Sequence, residues 1–184
     1  MSIKKCLICL LTLLVCQLAS HAADHEIKAQ NNAYRHNNKG IVYLSEKYYF
    51  GAIKEFQIAI DLNPNSQASA VYYTNLGKTY EEIGYNELAR PCFEKAVSLN
   101  VLCFDYYLKL AENYKKLGIL DEKIALYHTK KDSPLNDVLL GLLYIQKGQK
   151  STGITILDDF CDKEENLLIT TGVKNYLKEI TKDL

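Results

Sequence analysis

The feature that most limits what this chain can become is an internal repeat built on small residues. A Gly followed three residues later by a Tyr occurs at Gly40 and Tyr43, Gly77 and Tyr80, and Gly141 and Tyr144. Ala111 with Tyr114 supplies another copy in which the small residue is kept. The copies are separated by 37, 34 and 30 residues, a period that signals stacked copies of one supersecondary unit. A second small residue follows seven positions after the first at Gly84, Gly118 and Gly148; only the first copy departs, with Lys47. Further on come Ala52, Phe56 and Ala59, and in the same register Ala89, Phe93 and Ala96.

This spacing predicts a helix, a tight turn and a second helix in each copy. The first small residue lets the partner helix approach closely, and the Tyr one turn later fills the space above it on the same face. Gly84, Gly118 and Gly148 stand where the first helix must end in a left-handed conformation. Ala89, Phe93 and Ala96 form one stripe of the second helix, and Pro64 after Asn63 ends the first unit. Such a pair cannot bury its apolar face alone, so neighbours must stack. Pro91 falls inside a second helix and predicts a kink there, or a start delayed to about Arg90. At the other end Val173, Tyr176, Leu177, Ile180 and Leu184 recur at helical spacing and predict an amphipathic capping helix.

At these residues the chain resembles the tetratricopeptide repeat family. Tyr73, Leu76, Gly77, Tyr80, Gly84, Ala89, Phe93 and Ala96 match its pattern, as do Gly40, Tyr43, Ala52, Phe56, Ala59 and Pro64. The third copy keeps Tyr107, Leu110, Ala111, Tyr114, Gly118 and Tyr127 but has Lys123 where Ala is expected. The fourth keeps Leu140, Gly141, Tyr144, Gly148 and Phe160, with Gly153 in place of Ala. The repeats are placed at 33–66, 70–103, 104–133 and 134–163, after a polar linker at 23–32 and before a capping segment at 164–184. The resemblance implies an all-α fold, a right-handed α-solenoid of about four helix pairs plus a C-terminal capping helix. It also implies recognition of a protein or peptide segment in a concave groove lined by the first helix of each repeat. Helical spacing turns Asn37, Ile41, Thr74, Lys78, Leu108, Lys109 and Glu112 away from the small-residue stripe, and these are the candidate groove residues. Some relatives clamp a terminal carboxylate with paired Lys, Asn and Arg; only Asn75 and Lys109 fit that pattern, while Asn37, Ile41 and Asp105 do not.

Lys+Arg and Asp+Glu balance at 22 each over 184 residues, which removes the basic field that holds nucleic-acid phosphates. No Gly-rich phosphate loop, nucleophile elbow or zinc-protease His pair occurs, so the chain is read as non-enzymatic and without cofactor. Asp158, Asp159, Asp162, Glu164 and Glu165 cluster without the glycine-turned loop of a calcium site and read as a solvated loop. His36 and His128 read as solvated or packed side chains.

Met1 to Lys5 carries two lysines, and Cys6 to Ala19 is an apolar run of 14 residues followed by Ser20, Ala22 and Ala23. That is the pattern of a secretory signal, short for a membrane span. Cleavage after Ala22 is expected, with membrane contact limited to the signal and the mature protein in the periplasm, the cell envelope or the medium. Cys92, Cys103 and Cys161 would remain, enough for one internal disulfide, and read as apolar fillers. The mature start Ala23-Asp24-His25 has the amine, amides and imidazole that wrap a Cu(II) or Ni(II) ion in a square plane. Two functions are compatible with these features: an exported scaffold or adaptor of a bacterial-type cell envelope, and a metal or small-molecule handling protein using His25 or the groove. Intact-mass measurement of the protein from its native host is expected to give a chain starting at Ala23; a retained Met1 contradicts the signal.

Overall fold

The computed structural model describes residues 26–130 and 132–182. Nine helices and no strands occur among the described residues: α1 (residues 26–45), α2 (Tyr49–Leu62), α3 (Ser69–Glu82), α4 (Asn86–Leu99), α5 (Phe104–Lys116), α6 (Leu120–Thr129), α7 (Leu135–Gln146), α8 (Lys150–Lys163) and α9 (Leu168–Ile180). Consecutive helices pair as α1/α2, α3/α4, α5/α6 and α7/α8, and the pairs stack into a right-handed α-solenoid closed by α9. Helix α1 begins earlier than expected. Residues 26–32, read as linker, are helical, because Glu26, Lys28, Ala29 and Gln30 are strong helix formers. Helix α4 begins at Asn86 without the delay expected from Pro91. Pro91 is exposed, so the Glu87 carbonyl that loses its donor can be hydrated instead.

The small residues do what their spacing demands. A Cβ at Gly40 would lie 2.6 Å from the Phe56 ring, and one at Gly77 would lie 2.8 Å from the Phe93 ring. In the fourth pair a Cβ at Gly141 would lie 2.7 Å from Leu157. Leu157 thus takes the place assigned to Phe160, which sits one turn later, where the first two copies have Ala59 and Ala96. The rings of Phe56 and Phe93 are fully buried.

Each first helix ends in the same turn. The amides of Tyr48, Tyr85, Ile119 and Gln149 donate to the carbonyls of Tyr43, Tyr80, Tyr114 and Tyr144 at 2.8–3.1 Å. Lys47, Gly84, Gly118 and Gly148 donate to Leu44, Glu81, Lys115 and Ile145 at 2.9–3.0 Å. This double bond pattern satisfies the last carbonyls of the helix and needs a left-handed residue. Gly84, Gly118 and Gly148 have φ of 82°, 71° and 89°, and Lys47 is the one non-Gly residue with positive φ among those described, at 60°.

In the second and third copies the repeated Tyr also ties its pair to the one before it. Tyr80 Oη accepts from Gln57 Nε2 at 3.4 Å, and Tyr114 Oη donates to Glu94 Oε1 at 2.9 Å. Gln57 and Glu94 are equivalent positions of α2 and α4. Burial raises the Tyr114 phenol far above its usual range, with the nearby Glu94 charge adding to the effect. The third pair is looser. Lys123, in the place of Ala, sets its ammonium 5.3 Å from the centroid of the Tyr114 ring, and Ile124 is the one buried residue of α6. A Lys cannot fit where packing of the Ala52 and Ala89 type brings two backbones together, so α6 stands away from α5, and α5 packs directly against α7.

Helix α7 is apolar almost all round. Val138, Leu142 and Leu143 are fully buried, Leu139 and Leu140 nearly so. Helix α9 buries Ile169, Val173 and Leu177 in the same core and packs on α8 and α5. Its Gly172 passes Phe104 so closely that a Cβ would lie 2.7 Å from the Phe104 Cβ, and the Tyr176 and Phe104 rings lie 5.3 Å apart. Cys92, Cys103 and Cys161 are free thiols, the first and last buried; burial pushes the Cys92 thiol up to about 11.

The first pair is locked by an ion cluster. The buried Glu55 carboxylate of α2 receives His36 Nδ1 at 2.6 Å and Lys39 Nζ at 2.7 Å, both from α1. Burial pushes the Glu55 carboxyl up, but the bonds from Lys39 and His36 outweigh it and hold the group below its ordinary value of 4.5. A carboxyl lowered in the folded state stabilises above its unfolded pKa, and that contribution disappears as pH falls through the lowered native value. Glu55→Gln should therefore lower stability by roughly 2 kcal/mol at neutral pH, with the difference from wild type closing as pH falls below the ordinary carboxylate range, as read by urea melts across pH. Gly84→Ala should cost about 1 kcal/mol by forcing a Cβ into the left-handed region, although a Cβ there meets nothing within 4 Å; thermal melting measures it.

Candidate binding groove

The first helices α1, α3 and α5 lie side by side and present one concave face. Their register is fixed by Asn75 Nδ2 of α3, which donates to Asn37 Oδ1 of α1 at 2.9 Å. One turn to either side of this bond, helical spacing sets Tyr34 beside Val71 and Ile41 beside Lys78. Tyr34, Ile41 and Val71 are exposed at 61%, 45% and 42%, so apolar surface remains unused on this face.

Towards the helix C-termini the face deepens into a cleft of about 610 Å³. Lys78, Lys109 and Glu112 of the expected residues line it, together with Lys47, Glu81, Glu82 and Lys116. Two of its lysines are held by carboxylates: Lys109 Nζ lies 2.6 Å from Glu112 Oε2, and Lys116 Nζ lies 2.6 Å from Glu81 Oε2. Glu81 is itself oriented from below by Asn113, fully buried, whose Nδ2 donates to Glu81 Oε1 at 2.8 Å and to the Asn86 carbonyl at 3.2 Å. Lys47 and Lys78 have no ion-pair partner among the described residues, nor does Glu82. Four lysines face three glutamates. Helix α9 stands at the far side, where Tyr176 is close enough to Glu112 for that charge to add to the upward push that burial gives its phenol.

The remaining expected residues are placed differently. Thr74 is buried, with its hydroxyl donating to the Ala70 carbonyl at 2.8 Å; its β-branched side chain satisfies its own helix and leaves the open face to Asn75. Asn37 is 4% exposed and is consumed by the bond from Asn75. Leu108 is half-buried against the main core. Ala23, Asp24 and His25 lie outside the described residues, as does the signal segment 1–22. No group of three or more His, Cys, Asp and Glu side chains able to hold a metal occurs among the described residues. Sequence reasoning missed Lys47, Glu81 and Lys116. Lys47 carried a signal, since it breaks a glycine register kept in every other copy. Glu81 and Lys116 form their pair only because one repeat stacks on the next.

Comparison with known proteins agrees with this geometry. The family model described as tetratricopeptide repeat matches residues 70–100. This segment is similar to a tetratricopeptide repeat. It covers α3 and α4, where Gly77 and Phe93 interlock. Over 172 residues the chain is 26% identical to a TPR repeat-containing protein of Methanocaldococcus jannaschii, with 82% of this chain matched. The chain spans 30% of that relative's length. A tetratricopeptide repeat protein from Parabacteroides merdae superposes with a TM-score of 0.51 at 17% identity, over 83% of this chain and 61% of that one. Pseudomonas aeruginosa PilF gives a TM-score of 0.50 at 17% identity, over 79% and 67%. These structures share the fold. Tetratricopeptide repeats are, as a class, protein-interaction scaffolds.

Proposed function

We propose that this protein is an exported, non-enzymatic scaffold or adaptor of a bacterial-type cell envelope that holds a segment of a partner protein in its concave groove. The observation that carries the reading is the division of labour along α1, α3 and α5. The repeated Gly, Ala and Tyr residues of the stacking stripe are consumed in packing, while Tyr34, Ile41, Val71, Lys47 and Lys78 stay exposed along one face with nothing among the described residues to occupy them. Export rests on the charged, apolar and small-residue pattern of residues 1–22.

A segment lying across three parallel helices meets exposed apolar groups near the helix starts and charges near their ends. Binding energy concentrates in a few central residues, here Ile41 and Lys78. Leu108 is less suitable for substitution because it also supports the core. The pair Ile41→Asp and Lys78→Glu should abolish capture of envelope partners in a crosslinking pull-down, while circular dichroism and melting temperature stay near wild type. Undiminished capture of the same proteins by the double variant would move the binding surface away from the groove.

A further inference from the structure

Lys47 is in the wrong place for a lysine. The three equivalent positions are Gly84, Gly118 and Gly148, all with positive φ, and Lys47 adopts the same left-handed conformation at φ 60°. Glycine would close the turn without strain, and the turn's two hydrogen bonds need only backbone atoms. A favourable interaction with the end of α1 does not explain the choice either. A cation gains that from any position in the last turn, and Lys115, Lys116 and Lys147 end α5 and α7 without leaving the right-handed region. What position 47 does offer is the cleft, which Lys47 lines together with Lys78.

Backbone strain that the fold does not require is a pointer to function. We infer that Lys47 and Lys78 form the recognition pair for acidic side chains on the bound segment, so that the partner is an acidic segment with apolar residues beside its carboxylates. The inference rests on the reading of the concave face as the binding surface and names the chemistry that surface selects. The other cleft lysines, Lys109 and Lys116, are already held by Glu112 and Glu81. That leaves two ammonium groups available against the single exposed carboxylate of Glu82. Exposed Tyr34, Ile41 and Val71 on the same face supply the apolar half.

The test uses the full mature chain and two short fluorescein-labelled peptides: one of paired leucines and glutamates, the other with lysine for each glutamate. Fluorescence polarisation should show binding of the glutamate peptide and not of its lysine counterpart. Lys47→Gly should weaken that binding about fivefold while raising the melting temperature by about 2 °C. Lys47→Arg should keep the affinity. A residue with a purely structural role cannot move the two readouts in opposite directions. Equal binding of the two peptides, no binding of either, or unchanged affinity in Lys47→Gly overturns the inference. The variant Ile41→Asp separates the two levels. If it abolishes binding while Lys47→Gly has no effect, the groove stands and only the recognition pair falls. If Ile41→Asp also has no effect, the groove reading falls with it.

Discussion

The fold depends on an absence. At Gly40, Gly77 and Gly141 there is no Cβ, and the space it would fill is taken by Phe56, Phe93 and Leu157 of the paired helix. That substitution of a ring or branched side chain for a methyl brings two backbones together and buries the ring completely, at dispersion contact on all sides. Everything else is arranged around it. The Tyr one turn on has its ring placed by the close approach and its hydroxyl free to reach Gln57 or Glu94 of the previous pair. The turn that follows is held by backbone bonds alone, and the helices it leads into, α2, α4, α6 and α8, have no side-chain N-cap bond.

Much of this was legible in the chain because it is encoded by single residues at fixed spacing. Gly77 announces a close approach, but the side chain that occupies the missing Cβ's space is Phe93 of the paired helix and not the Tyr one turn on that the spacing suggests. The apolar girdle of Val138, Leu139, Leu140, Leu142 and Leu143 announces burial on every side; the cover comes from α5, α6 and α8, while α9 joins the same core by packing on α8 and α5. Two expectations differ from the structure. Phe160 matches the aromatic of the repeat pattern by residue type, whereas the register over Gly141 is kept by Leu157. The linker at 26–32 was read from polarity, although a polar helix is stable when its next turns are anchored, as Ala33 and Asn37 anchor α1.

The groove was less legible than the fold. Spacing assigns a residue to a sector of a helix about as wide as its neighbour's, and that is too coarse to separate Thr74 from Asn75. The structure separates them by hydrogen bonding: Thr74 turns back on the Ala70 carbonyl and Asn75 reaches across to Asn37. Electrostatics between repeats is harder still. Glu81 and Lys116 are 35 residues apart, and their pairing depends on stacking geometry and on Asn113 below them.

The wedge at Lys123 bears on how such a chain can change over generations. Helix α6 is the shortest of α2 to α9, at 10 residues, and contributes one buried side chain. The concave side at the same level is continuous, since α5 is carried mainly by α4 and α7. Insertions, deletions and drift are tolerated best where little backbone is buried. The convex surface around α6 is therefore the part of the array where length and sequence are free to diverge while the inner face keeps its curvature.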